Sequence, residues 1–276
     1  IAAGIHSGSG SAMLRMGPLK LFADGALGPR TAAMLEPYEA EPANIGLLTL
    51  TAEEIFSTGV QAIQNSINLA IHAIGDRANR EVLDGYQRLR AYEEQQHLPH
   101  LRHRIEHVQL LHPDDVYRLA KLGLVASMQP IHASSDREMA DQYWGDRTKL
   151  AYAWRSLLDC GTTLAFGSDA PVESPNPFWG MHAAMTRVRQ GEPLDKSWQS
   201  QQCLTFDEAL HAYTVGAAYS AGCEAWLGRL SPGYAADLVM FSYDPKDTQK
   251  QDFYIIKPEA TMVAGSWVWN ASDLRL

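Results

Sequence analysis

Five short apolar runs, each closing on a polar cluster, constrain this chain more than any other feature. They are PLKLFADG (18–25), NLAIHAIGD (68–76), HRIEHVQL (103–110), GLVASMQP (123–130) and TTLAFGSDAP (162–171). Runs of four to eight apolar residues bounded by turn formers read as buried parallel strands. Helical patterns lie between them. In DRANREVLDGYQRLRAYEE (76–94), Val82, Leu83, Tyr86 and Leu89 share one helical face, and Asp76 reads as the N-cap. Pro113, followed by Asp114 and Asp115, suits a helix start, and Gly123 suits a stop. Thr205 and Glu208 form a capping-box pattern ahead of ALHAYTVGAAYS. Alternating strands and helices predict an α/β fold with a parallel sheet.

From about residue 226 the pattern changes to short β-rich runs separated by Gly and Pro turns. The expected division is therefore 1–225 for the α/β part and 226–276 for a small β segment. GEPLDKSWQSQQ (191–202) reads as an exposed polar loop. The three cysteines, Cys160, Cys203 and Cys223, fit no zinc or redox spacing and read as small buried apolar residues.

Composition narrows the function. Hydrophobic residues make up 46% and charged residues 20%, too apolar for a disordered chain. With 23 Lys+Arg against 32 Asp+Glu, the net charge of −9 disfavours phosphate, so no nucleic-acid partner is expected. No apolar stretch reaches about 18 residues, so no membrane span is expected. The chain begins at Ile1 without a basic-then-apolar leader, and a cytoplasmic protein is expected.

Three runs end near a side chain able to bind metal: His72, His107 and Asp169, with Lys20 in the first run. Parallel strands converge such residues at their carboxyl ends. Each also has an ordinary reading, as a core histidine, a turn aspartate or a lysine reaching solvent. Neutral imidazole and carboxylate together suit zinc and similar ions.

The strings KLFADGALGPRTAAMLEPY, AIHAIGDRANREVLDGY, RIEHVQLLHPDDVYRLAKLG, VASMQP and LAFGSDAPVESPNPFWGMHAAMTR resemble the amidohydrolase superfamily. Within it they look like the YtcJ-like branch that includes N-substituted formamide deformylases. The tail LGRLSPGYAADLVMFSYDP and VAGSWVWN resembles the superfamily's C-terminal β segment. The resemblance implies strands four to eight of a (β/α)8 TIM-type barrel, plus part of a composite β-sandwich. It implies one or two divalent ions, zinc foremost, held by Lys20, His72, His107 and Asp169. Lys20 would match a fourth-strand lysine that becomes carboxylated. An ammonium cannot bind a cation, whereas a carbamate offers two oxygens. Asp169 would serve as general base and acid on a small amide-type substrate.

His132, Arg147 and Trp144 are the candidates for substrate contact, against a loop histidine, a surface ion pair and core packing. Trp179 is read in the same two ways as Trp144. Asp24 and Gly25 are expected to shape a turn. His97, His100 and His103 read as a solvated linker. The GSGS at Gly8 precedes a strand and is no dinucleotide fingerprint.

One departure stands out. The superfamily holds its first metal with a His-x-His pair, and this sequence contains none. Two accounts are open: a fragment of a longer enzyme, or an open-sheet remnant whose edges a second copy covers. In both, the chain alone is expected to be a poor catalyst. Two alternatives remain: a one-metal deaminase-type hydrolase with Lys20 unmodified, and a non-catalytic remnant that binds a ligand or partner.

Overall fold

The computed structural model describes residues 3–271. Five strands carry the apolar runs: β1 (Leu19–Phe22), β2 (Leu69–Ala73), β3 (Arg104–His107), β4 (Val125–Met128) and β5 (Thr163–Phe166), in the sheet order β1-β2-β3-β4-β5. The first four pair in parallel. Register sets the two faces. Leu21, Ile71, Ile105 and Ala126 lie abreast, as do Phe22, His72, Glu106 and Ser127 one residue on. The period of two therefore sends the metal-capable His72 to the face opposite the aliphatic row.

Helices α1 (Ala52–Ile63), α2 (Asp76–Gln95) and α3 (Arg118–Lys121) follow β1, β2 and β3. Next come α4 (Pro130–Trp144) and α5 (Trp154–Asp159), then α6 (Pro177–Thr186), α7 (Phe206–His211) and α8 (Ala217–Ser220). Thr51 and Glu54 cap α1 reciprocally, and Thr205 and Glu208 do the same for α7. The α2 face read from spacing is inside: Val82, Leu83, Tyr86 and Leu89 have no exposed surface. The tail contains a three-stranded antiparallel sheet of β6 (Leu238–Met240), β7 (Ala260–Val263) and β8 (Ser266–Asn270).

The chain separates into two compact units. One comprises Ile1–Met128 and Asp136–Leu164, the other Gln129–Ser135 and Ala165–Leu276. In the first, α1 packs on α2 through glycine. A Cβ on Gly59 would come within 2.4 Å of Leu89 Cδ1, and one on Gly85 within 2.6 Å of Ile55 Cγ2. The second has an aromatic core in which Phe178 meets Phe241 and Phe253, and Phe206 meets Phe253, edge to face.

Three local expectations are corrected. Asp76 is the first residue of α2, not its cap; Gly75 occupies the cap. A Cβ at Gly75 would lie 2.0 Å from the Ala33 carbonyl oxygen, so only glycine fits there. The Asp76 carboxylate is thereby free to accept from the Leu35 and Arg77 amides. His103 is no solvated linker, although His97 and His100 are exposed. It is fully buried, stacked on Tyr86, with Nδ1 accepting the Leu69 amide and Glu93 beyond Nε2. Its place immediately before the central strand β3 decides this. Of the cysteines, only Cys223 is buried; Cys160 is exposed and Cys203 half-buried.

Candidate metal centre

The first unit holds three of the four expected ligands, Lys20, His72 and His107, and brings the two histidines together. His72 sits one residue before the end of β2 with its side chain 12% exposed. Its Nε2 lies 2.8 Å from the Gly25 carbonyl oxygen, with Asp24 Oδ1 at 3.4 Å. A carbonyl only accepts, so Nε2 carries the proton and Nδ1 keeps its lone pair for a ligand. The His107 ring stands edge-on to His72, 4.6 Å between centroids. Phe22 lies 5.3 Å from His72, and Lys20 Nζ sits 4.9 Å over the Phe22 ring.

Backbone conformation marks the same place. His107 and Val108 both adopt left-handed backbone, at φ 75° and 47°. A β-branched residue pays for this, typically about 1–3 kcal/mol. The turn redirects His107 toward His72, although strand parity alone would send the two to opposite faces.

Asp24 holds this corner together. Its buried carboxylate accepts amides from Ala33 at 2.9 Å, Ile74 at 3.0 Å and Gly75 at 2.8 Å. The residue thus does what the turn reading expected, over a wider reach: it ties the end of β1 to the loop beyond β2. Asn79 clamps the same region, its Nδ2 donating to carbonyls that include Gly75 and Leu110.

The second unit holds the fourth expected ligand. Asp169 follows β5 in left-handed backbone, φ 57°, with its side chain 42% exposed. His132 is buried in the first turn of α4, not on a loop. Its Nε2 is 3.7 Å from Asp169 Oδ2, and its Nδ1 is 3.8 Å from Glu173 Oε1. Glu173 was missed by sequence reading. The only signal for it was its position four residues past Asp169.

Arg147 and Trp144 belong to the first unit. Trp144 is fully buried. Arg147 donates to the carbonyls of Trp144, Glu36 and Pro37 at 2.8–3.0 Å, fastening the long loop between β1 and α1. Trp179 is half-buried in α6. The first unit offers the imidazole nitrogens of His72 and His107, with the His72 proton assigned away from the ligand side, and the second offers the His132 imidazole with the Asp169 and Glu173 carboxylates. That donor chemistry fits zinc or a similar divalent ion.

Comparison with known proteins places the chain. A family model described as the amidohydrolase family matches residues 3–269. YtcJ of Bacillus subtilis (strain 168) is 32% identical over 262 residues, covering 94% of this chain and 48% of that protein. LONG AFTER FAR-RED 3 of Arabidopsis thaliana is 36% identical over 245 residues, 88% of this chain and 41% of that one. N-substituted formamide deformylase of Arthrobacter pascens is 28% identical over 258 residues, 92% and 46% of the two. An uncharacterized metal-dependent hydrolase from Pyrococcus horikoshii OT3 superposes with a TM-score of 0.78 at 30% identity, over 90% of this chain and 49% of that one. The chain spans about half the length of the curated relatives it matches. With the matched model running through nearly every described residue, the chain belongs to the amidohydrolase family.

Proposed function

We propose that this chain carries strand-end machinery of a metal-dependent hydrolase that cleaves amide-type carbon–nitrogen bonds in small molecules. On this reading β1 to β5 are strands four to eight of a (β/α)8 barrel, and the tail is part of a composite β-sandwich. Lys20, His72, His107 and Asp169 are the residues that hold one or two divalent ions, zinc first, with Lys20 as a carbamate in the two-ion form. The observation that carries the reading is the His72–His107 pair, with Nε2 of His72 engaged by Gly25. The name of the formamide deformylase relative supports the bond type.

A bound ion supplies Lewis acidity and a more acidic water. The chain's own residues do the rest. Asp169 takes a proton from the attacking water and returns it to the departing amine. His132, next to Asp169, meets the substrate. Arg147 fixes the β1–α1 loop, whose Gly25 carbonyl sets the His72 tautomer, and Arg147 and Trp144 are further candidates for substrate contact.

Metal uptake tests this. The 276-residue chain, stripped with chelator and titrated with zinc, is expected to bind it, and His72→Asn with His107→Asn is expected to abolish that binding. Turnover of N-formyl amides with zinc or manganese is expected to be weak, because the sequence lacks the His-x-His pair. Unchanged zinc uptake in the double variant would overturn the assignment. An absence of carbamate density at Lys20 in a zinc-loaded crystal would favour the one-metal form.

A further inference from the structure

Between α7 and α8 the helix widens. Residues Ala212–Gly216 hydrogen-bond one residue further along the chain than in an α-helix. Such a widened turn is rare and frequently sits at functional positions. Here it presents Tyr213 toward the end of β5. The Tyr213 ring packs edge-on against Phe166, 5.5 Å between centroids. Its hydroxyl donates to the Gly167 carbonyl oxygen at 3.4 Å. Gly167 lies two residues before Asp169, whose own backbone is left-handed at φ 57°.

The hydroxyl has a place made for it. A Cβ at Gly180 in α6 would lie 1.7 Å from Tyr213 Oη. Packing against Phe166 needs only the ring, which phenylalanine would supply as well. Glycine at 180 makes room for the hydroxyl and for the ring carbon that bears it, which a Cβ would approach to 2.8 Å. Burial pushes the phenol far above its ordinary value, so it stays a neutral donor at every working pH.

We infer that Tyr213 is a positioning residue for Asp169. By fixing the Gly167 carbonyl, its hydroxyl sets the direction in which the strand-end turn delivers the Asp169 carboxylate. The inference rests on the proposed hydrolase reading, in which Asp169 is a ligand. Tyr213 itself touches neither ligand nor substrate.

Zinc affinity of the whole chain, measured by competition with a chromophoric chelator, is the test. The visible spectrum of the cobalt(II)-loaded chain gives a second readout of coordination. Tyr213→Phe is expected to keep the far-ultraviolet circular dichroism of the parent, to weaken zinc binding roughly 3- to 10-fold and to shift the cobalt bands. Asp169→Asn is expected to weaken binding further. Because Tyr213 acts through Asp169, adding Tyr213→Phe to Asp169→Asn is expected to change nothing more. Gly180→Ala, which displaces the hydroxyl together with the ring end that carries it, is expected to shift the cobalt bands at least as far as Tyr213→Phe. Parent-like affinity and spectrum in Tyr213→Phe, with Asp169→Asn impaired, would overturn the positioning role and leave the hydrolase reading standing. Full loss of effect in Asp169→Asn would overturn the hydrolase reading, and the positioning role with it. Equal additive losses from both substitutions would show that Tyr213 acts on packing instead.

Discussion

Replacing Asp24 should do more damage than replacing any other single buried polar residue of the strand-end corner. The side chain is inaccessible to solvent and takes three backbone amides for which no other acceptor stands among the described residues. Hydrogen bonds to a charged acceptor contribute about 1.5–3 kcal/mol each, and an orphaned buried donor costs about as much. At the low end of that range, with some relief from water entering the vacated space, Asp24→Ala loses about 4 kcal/mol. That is a large fraction of the roughly 5–15 kcal/mol that stabilises a typical domain. Asp24→Asn is the sharper perturbation, because it preserves volume and removes only charge and one acceptor. Oδ2 accepts from both Ala33 and Gly75, and Oδ1 from Ile74. Whichever way the amide turns, its NH2 group faces at least one N–H at about 3 Å. The expected loss is about 2 kcal/mol. Urea unfolding followed by circular dichroism reads it directly. With an m-value of about 2 kcal/mol/M, the midpoint falls by about 1 M and the slope stays constant. The opposing argument is that neutralising a buried carboxylate recovers its desolvation cost. An Asp24→Asn variant within about 0.5 kcal/mol of the parent would show that desolvation wins, and the clamp reasoning would fall.

Two further outcomes follow from the first unit. Burial holds His103 below its ordinary value of 6.5, with the Arg90 charge adding to the effect and the Glu93 contacts opposing it. A folded pKa below the unfolded one means that protonation favours unfolding. Stability is therefore full above pH 6.5 and declines as pH falls below it. Urea midpoints at pH 7 and pH 5 should differ, and His103→Gln should shrink the difference without abolishing it, since burial also lowers His182. An unchanged difference would exclude His103 as a source. At the α1–α2 contact, Gly59→Ala and Gly85→Ala each insert a methyl against Leu89 or Ile55. Overpacking costs about 1–3 kcal/mol, more than the 0.5–1 kcal/mol that alanine gains over glycine in a helix. Both melting temperatures should fall by a few degrees. A rise in either would mean that the helices part easily at that point.

What was legible in the sequence was whatever depends on near neighbours. The strand runs, the Thr205–Glu208 cap and the buried face of α2 all arise from spacings of two to four residues. Local sterics and hydrogen bonding set such features before the chain has any tertiary structure. The types of the expected ligands were legible for the same reason, as unusual residues closing apolar runs. Their chemistry was decided elsewhere. The proton on His72 is assigned by a carbonyl 47 residues away in sequence, and Asp24 reaches 50 residues to Ile74. His103 reads as one of three histidines in a polar stretch, yet it is buried because β2 pairs with β3 and brings Leu69 against it. Glu173 and Tyr213 carry no local signature. Each gains meaning only from what the fold places opposite it, His132 in one case and Gly167 in the other. Periodicity specifies which side of an element is apolar, but not which distant element will cover it. That depends on strand pairing and register, which are settled only when the sheet and its helices pack.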